Sequence, residues 1–421
     1  MTMYRLFLTA FLAALVSFPA LADSLANLTL SEAEALWAEH DHEVKLAKRA
    51  LQGAEADILS AAQRPNPQLS VNVNTLSVQP GVGVGGPRDK MMDSVIGLSQ
   101  TIERGNKRGL RIQGAEARVA AARGDLADTA RQQRLALRQA YYDLRLAQDK
   151  LRITEETSGL YRKSVEAAEL RLKAGDLAAA EVSRLRVEAL RAANDERQAA
   201  ADLENAQVGL AYLVGMQSQA KTLRAGDDFP AFAEIPRNTE ETLEQRADVR
   251  AALARVSAAE ASRDLARAQK SRDVTVGVQF EHNPTGTTWA NNSVGVNVAM
   301  PLFVNYAFEG EIRRAEADLD AARDILEKAR AQARAELANA HAGLAAAADQ
   351  VRRYDAALVG EAERVAKAME FAYQKGALGM MDLLDARRTY RAVQMDAAVA
   401  RAGYAKALAA WRAAVATGDE S

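Results

Sequence analysis

Val274-Thr275-Val276-Gly277-Val278-Gln279-Phe280-Glu281 and Ser293-Val294-Gly295-Val296-Asn297-Val298-Ala299-Met300 put a large apolar residue at every second position and a polar or tiny one between. Leu69, Val71 and Val73 alternate in the same way with Ser70, Asn72 and Asn74, ahead of a fourth segment from Val95 to Ile102. A period of two reads as a β-strand with one apolar and one polar face. Each segment is close to the roughly 9–11 residues that a tilted strand needs to cross a bilayer, and apolar-out, water-in alternation is the pattern of a transmembrane barrel. A half-buried soluble sheet shows the same alternation and stands as the alternative. The loops Gln79 to Lys90 and His282 to Asn292 are rich in Gly, Pro and Asn, as hairpin tips are. Trp289, near one tip, fits a membrane-interface aromatic.

Four strands cannot close a barrel, and an open edge in lipid leaves backbone groups unsatisfied. Several copies must contribute. Two copies give about eight strands, an interior that side chains fill, whereas a water-filled lumen needs more. The polar inner faces therefore predict a homotrimer in contact with outer-membrane lipid.

Outward from the strands, the chain repeats itself. Ile112, Ala115, Glu116, Ala117, Ala121, Ala122, Arg123 and Leu126 recur 200 residues later as Ile312, Ala315, Glu316, Ala317, Ala321, Ala322, Arg323 and Leu326. Gly175, Leu177, Glu181 and Arg186 recur as Gly376, Leu378, Asp382 and Arg387, now 201 apart, so one residue has been inserted. Such a period is far longer than the roughly 20–50 residues of a solenoid repeat and marks a duplicated half. Residues 1–22 read as a secretory signal peptide: a basic start to Arg5, an apolar run from Leu6 to Phe18, and small residues before Asp23. Residues 23–214 then form a first repeat with a strand hairpin at 67–102 and a helical turn near 175. Residues 215–238, with Gly226, Pro230 and Pro236, form a linker. Residues 239–415 repeat the plan with a hairpin at 273–303 and a turn near 376, and 416–421 are a tail. The first helix is predicted from a Ser31/Glu34 capping box to about Gln63, stopped by Pro65 and Pro67. Its counterpart is predicted from Asn238/Glu241 to about Lys270.

The segments after the strands carry a heptad. Leu137, Leu144, Leu151, Ser158, Val165 and Leu172 step by seven, with Ala140, Ala147, Tyr161 and Ala168 between them. The second half repeats this as Leu337, Leu344, Val351, Leu358, Val365 and Ala372, with Ala340, Ala347, Tyr354 and Ala368. The spacing predicts coiled-coil packing of long helices, the first from about Asn106 to Lys173 and roughly 100 Å in length. A structural or adhesive periplasmic coiled coil would share this heptad and would not need the alternating hairpins. The fold class expected is mainly α with a small β part: a trimeric barrel of four strands per chain, continued by a long helical coiled-coil barrel.

Composition narrows the function. The net charge of −2 argues against a nucleic-acid partner. Zero Cys in an exported chain means stability from packing and assembly instead of disulfides. There is no phosphate loop, no GxSxG and no HExxH, so no enzyme, cofactor or structural metal is expected. Of the four histidines, only His40 with Glu43 offers a weak surface metal pair. Gly81 to Gly86 ends in Pro87 and opens no helix, so it is not a nucleotide site.

Several stretches carry a family resemblance that covers the mature chain. Ser99-Gln-Thr-Ile-Glu-Arg-Gly-Asn-Lys-Arg108, Met300-Pro-Leu-Phe303, Arg171-Leu-Lys-Ala-Gly175 with Glu181-Val182, and Ala372-Tyr-Gln-Lys-Gly376 with Met381-Asp-Leu-Leu-Asp-Ala386 are similar to motifs of TolC-type outer-membrane efflux proteins. The glutamate before Arg-Gly-Asn-Lys-Arg, the chain length and the lack of a lipid-anchor cysteine resemble the CzcC-like members of heavy-metal efflux systems. The resemblance implies a passive conduit in the outer membrane of a Gram-negative bacterium. It also implies a large periplasmic helical part that meets a periplasmic adaptor (membrane fusion protein) and an inner-membrane RND-type pump. Heavy-metal cations, drugs and proteins secreted by type I systems are the alternative cargoes. Asp382 and Asp385 match the family's aperture aspartates, and Arg171, Gly175, Glu181, Tyr373, Gly376 and Leu378 match its tip and docking contacts. Leu378 stands where some members carry an Arg, which argues against a charge lock there. In a trimer, acids facing the lumen form rings of three carboxylates, and such rings favour cations.

Overall fold

The computed structural model describes residues 26–76, 92–232, 240–282 and 292–415. The signal segment, residues 77–91 with most of the first tip loop, Asn238, residues 283–291 with Trp289, and the tail lie outside them. The chain is mostly helical, 76%, with one four-stranded antiparallel sheet. Its helices and strands are α1 (Leu30–His40), α2 (His42–Ala61), β1 (Gln68–Leu76), β2 (Met92–Ile102), α3 (Lys107–Lys173) and α4 (Ala179–Val214), then α5 (Ala247–Ala268), β3 (Val274–His282), β4 (Asn292–Ala299), α6 (Glu309–Arg353), α7 (Val359–Gln374) and α8 (Met380–Val415). They form two compact units, each drawing on both repeats: 48–126 with 247–330, and 1–47 with 127–246 and 331–421.

In the first of these units the four strands pair in chain order, β1-β2-β3-β4, and the register aligns like with like. Leu69, Leu98, Val278 and Val296 form one cross-strand row, and Val71, Ile96, Phe280 and Val294 the next. Those side chains are solvent-exposed, from 46% for Phe280 to 78% for Val294. The opposite face carries the rows Ser70–Gly97–Gln279–Gly295 and Gln68–Ser99–Gly277–Asn297. This polar side is crowded: a Cβ on Gly277 would sit 2.2 Å from Asn297 Oδ1, so only glycine lets the strands curl around it. A wide apolar face turned outward over a polar inner face is unstable in water and is what lipid requires. Below the sheet, Arg108 Nε and Arg111 donate to the carbonyls of Ala61, Ala62 and Gln63, satisfying the end of α2.

In the second unit the helix expected over 31–63 is in fact two. Its cap is Thr29 with Glu32, not Ser31 with Glu34: Glu32 N–H donates to Thr29 Oγ1 and Thr29 N–H to the Glu32 carboxylate. The start moves back because the preceding residue, Leu28, is already pinned by a parallel bridge to Ala225 and Leu30 N–H donates to Asp227. The break falls at buried Asp41, which accepts from Val44 N–H at 2.7 Å and Trp37 Nε1 at 2.9 Å and so caps α2. The second expected cap likewise differs: Glu240–Gln245 form a 3-10 turn, and α5 starts only at Ala247.

The heptad is buried where expected at Leu137, Leu144, Ser158, Leu337, Leu344 and Val351. It fails at Leu358 and Val365, which are 45% and 49% exposed, while Ala366 is buried. The cause is a π turn at Tyr354–Leu358, where Val359 N–H donates to Tyr354 O. A π turn takes in one extra residue, and this arm is one residue longer than its counterpart in the first repeat, where α3 is unbroken. The inserted residue is thus wound into the helix, and every later core position moves by one.

A charged anchor holds the end of α8. Arg246, 1% exposed, donates to Ala414 O at 2.8 Å and pairs with Glu336 at 2.7 Å. Arg131 pairs with the same carboxylate at 2.9 Å and with Asp128, and donates to Ala413 O. Two cations thus meet the carbonyl end of a helix, where its dipole is negative.

Candidate functional site

The two helical turns have matching geometry. Gly175 and Gly376 adopt φ of 83° and 75°, a left-handed conformation that glycine takes without strain. After each, an N–H reaches back five residues: Asp176 to Arg171 O and Ala377 to Ala372 O, both at 2.9 Å. This is the Schellman closure that satisfies the last helical carbonyls. Beneath the turns, the ends of α3 and α7 and the starts of α4 and α8 share one core of Tyr161, Ala168, Val182, Leu185, Met380, Leu383 and Leu384, with Leu172 and Tyr373 packed against it. Arg171 Nη1 donates to Tyr373 Oη at 3.0 Å, and its guanidinium lies 5.9 Å from the ring centroid, which ties the first turn to the second. Leu378 is half-buried beside its turn.

The acidic candidates occupy the first turns of the returning helices. Glu181 is half-buried at the start of α4, and its repeat counterpart Asp382 is exposed at the start of α8. Asp382 accepts from Gly379 N–H at 3.3 Å, so it also closes its own helix N-terminus. Asp385, three residues on, is exposed on the same side. Arg388, one turn later, is engaged by Glu188 at 2.5 Å, which leaves both aspartates without an ion pair among the described residues.

Two sets of ion pairs around this site were not singled out from sequence. Arg186–Glu169 at 2.6 Å and Arg387–Glu370 at 3.2 Å are repeat-related and brace each hairpin across its two arms. Arg388–Glu188 and Arg391–Asp195, the latter at 2.6 Å, brace α4 against α8. The first two carry a signal, since Glu and Arg recur with the same separation in both halves. His40, paired with Glu43 in the sequence reading, has Nδ1 3.0 Å from Leu36 O. Among the described residues no group of three His, Cys, Asp or Glu is placed to hold a metal ion, and no helix is long and apolar enough to cross a membrane.

The chain is 25% identical over 364 residues to the cobalt-zinc-cadmium resistance protein CzcC of Cupriavidus metallidurans, covering 86% of this chain and 84% of that one. In fold it resembles the outer membrane protein VceC of Vibrio cholerae, with a TM-score of 0.77 and 19% identity over 93% of this chain and 97% of that one. CusC, whose structures describe transmembrane channel formation, gives a TM-score of 0.74 at 17% identity over 92% and 91% of the two chains. These likenesses show the fold of TolC-type outer-membrane channels. The outer membrane efflux protein family model matches residues 35–216 and 238–417, each repeat once. The chain belongs to that family and is an outer-membrane efflux channel of the TolC type.

Proposed function

We propose that this channel works as a homotrimer, the outer-membrane conduit of a tripartite pump that exports heavy-metal cations. The observation that carries the conduit is the sheet: four strands, an apolar face exposed along its length, a polar face opposite, and two outer strands, β1 and β4, each paired on one side only. Three copies pair these edges into one closed barrel around a polar lumen. The cargo rests on the similarity to CzcC, named for cobalt-zinc-cadmium resistance. An RND-type pump and a periplasmic adaptor are the partners that the motif resemblance implies, with the turns at Gly175 and Gly376 as the docking end.

In the trimer, Asp382 and Asp385 line the periplasmic aperture as two rings of carboxylates. Their support is exposure on a shared side at the tip, with no ion pair to either among the described residues. Rings of carboxylates in a constriction attract cations. Planar-bilayer recordings of the purified oligomer test this. Asp382→Asn with Asp385→Asn is expected to lower cation preference and weaken block by Co2+ or Zn2+ while the oligomer forms as before. Unchanged selectivity removes the aspartates from the aperture, and a stable bilayer-spanning monomer removes the trimer.

A further inference from the structure

One end of the sheet carries two arginines with no ion-pair partner among the described residues. The last pair of the β2–β3 register is Ile102 with Val274, and the same alternation carried two residues further puts Arg104 and Arg272 at facing positions. Beyond the last β3–β4 pair, Thr275 with Ala299, the chain carries Phe303 to Arg272. Arg104 is held at that place by its own backbone, whose N–H donates to Asp273 at 2.9 Å. Both arginines are exposed, and neither side chain forms an ion pair among the described residues. The nearby acids are taken: Asp273 by Lys107 at 2.8 Å, and Glu103 by Arg111. Like charges facing each other across strands repel, and an anion bound between them removes that repulsion.

The surroundings identify the anion. Arg104 and Arg272 continue the face of Ile96, Leu98, Val276 and Val278, which meets lipid. Past β4 the same alternation runs on through Met300, Leu302 and Val304, exposed by 44%, 67% and 82%. The Arg272 guanidinium lies 5.7 Å from the Phe303 ring centroid, and Phe303 packs edge-on against Phe308 at 5.1 Å. Aromatic rings and cations at the edge of an apolar band are the residues of a membrane interface. We infer that Arg104 and Arg272 form a binding site for the headgroup phosphate of an anionic glycerophospholipid, with Leu302 and Val304 against its acyl chains. The guanidinium fork suits phosphate oxygens in a bidentate arrangement, and Phe303 holds one fork in place. Each chain supplies one site at the periplasmic rim of the barrel, so the trimer carries a ring of bound lipid at the depth of the inner leaflet.

This inference rests on the barrel reading, and one preparation tests both. The full-length oligomer in detergent is titrated with phosphatidylglycerol, phosphatidylcholine or inorganic phosphate, and bound adducts are counted by native mass spectrometry. Its conductance is recorded in bilayers of the same lipids. Wild-type protein is expected to bind phosphatidylglycerol at least tenfold more tightly than phosphatidylcholine, with little affinity for inorganic phosphate. Arg104→Gln with Arg272→Gln removes that preference, and Arg104→Lys with Arg272→Lys keeps part of it. If the glutamine pair fails to assemble, Arg272→Gln alone is read in its place and is expected to lose most of the preference. A conducting oligomer that binds both lipids equally, or whose preference survives the glutamine variants, overturns the lipid site alone. Tight binding of inorganic phosphate assigns a soluble-anion site and also overturns it. A protein that neither inserts nor conducts overturns the barrel reading itself.

Discussion

Val278→Arg tests the sheet at its most demanding point. Val278 is the central residue of β3 and lies in the row Leu69–Leu98–Val278–Val296, with Leu98 and Val296 directly beside it. It is four residues from Val274, about 13 Å along the strand, further than an arginine side chain extends to reach headgroups. An arginine at the midplane of a barrel's lipid face costs about 2–4 kcal/mol, roughly a 30- to 1,000-fold change in the folding equilibrium per chain. Three chains folding as one barrel multiply the penalty. Gln279→Arg, one residue along, enters the row Ser70–Gly97–Gln279–Gly295 on the polar face, where water is at hand. Its cost is expected within about 0.5 kcal/mol, like most solvated substitutions, and its effect is expected in conductance. Urea unfolding of protein in lipid vesicles, read by the mobility of unboiled samples on gels, measures both. Equal loss of stability for the two variants, or a greater loss for Gln279→Arg, refutes the assignment of lipid and lumen faces.

Two further outcomes follow from the helices. Glu336→Gln removes one counter-charge from buried Arg246; breaking a buried pair costs about 3–5 kcal/mol, reduced here to about 2 because Glu336 keeps 40% exposure. Burial pushes the Glu336 carboxyl up, but hydrogen bonds from Arg246 and Arg131 outweigh it and hold the carboxyl below its ordinary value. Its contribution is therefore complete above the unfolded carboxylate pKa and lost as pH falls through the folded one, so thermal melts from pH 7 to 3 should show a step that Glu336→Gln flattens. Deleting Ala357 from the π turn restores the 200-residue spacing between repeats. It is expected to leave the tip core intact and to slow amide exchange over residues 354–366, and an unfolded tip hairpin in the deletion variant counts against the insertion argument.

How much was legible in the sequence depends on the range of the signal. Strand faces have a period of two, so Val276, Val278, Val294 and Val296 announce themselves within a few residues. Gly175 and Gly376 are legible because few other residues end a helix in the left-handed conformation. Asp41 was missed because Ala33, Trp37 and Val44 carry the apolar spacing straight through the break, and its caps come from Trp37 and Val44 within a charged run. The Arg246–Glu336 pair joins residues 90 apart in sequence and has no local pattern at all.

The heptad at Leu358 and Val365 misled for a reason that the sequence itself contains. A heptad read along one segment assumes that each residue advances the helix by the same angle, and a π turn breaks that assumption once. Comparison of the halves carries the correction: the spacing between equivalent residues is 200 at Leu126 and Leu326 and 201 at Gly175 and Gly376, so one residue must be absorbed between them. Both turns must still close over one shared core, which fixes the phase of the helix on the far side of the insertion. A loop there would remove hydrogen bonds from the middle of a long helix, whereas a π turn keeps the chain helical and hands the buried position from Val365 to Ala366. Duplicated chains thus carry an internal ruler, and a change in its spacing marks where a helix is wound differently.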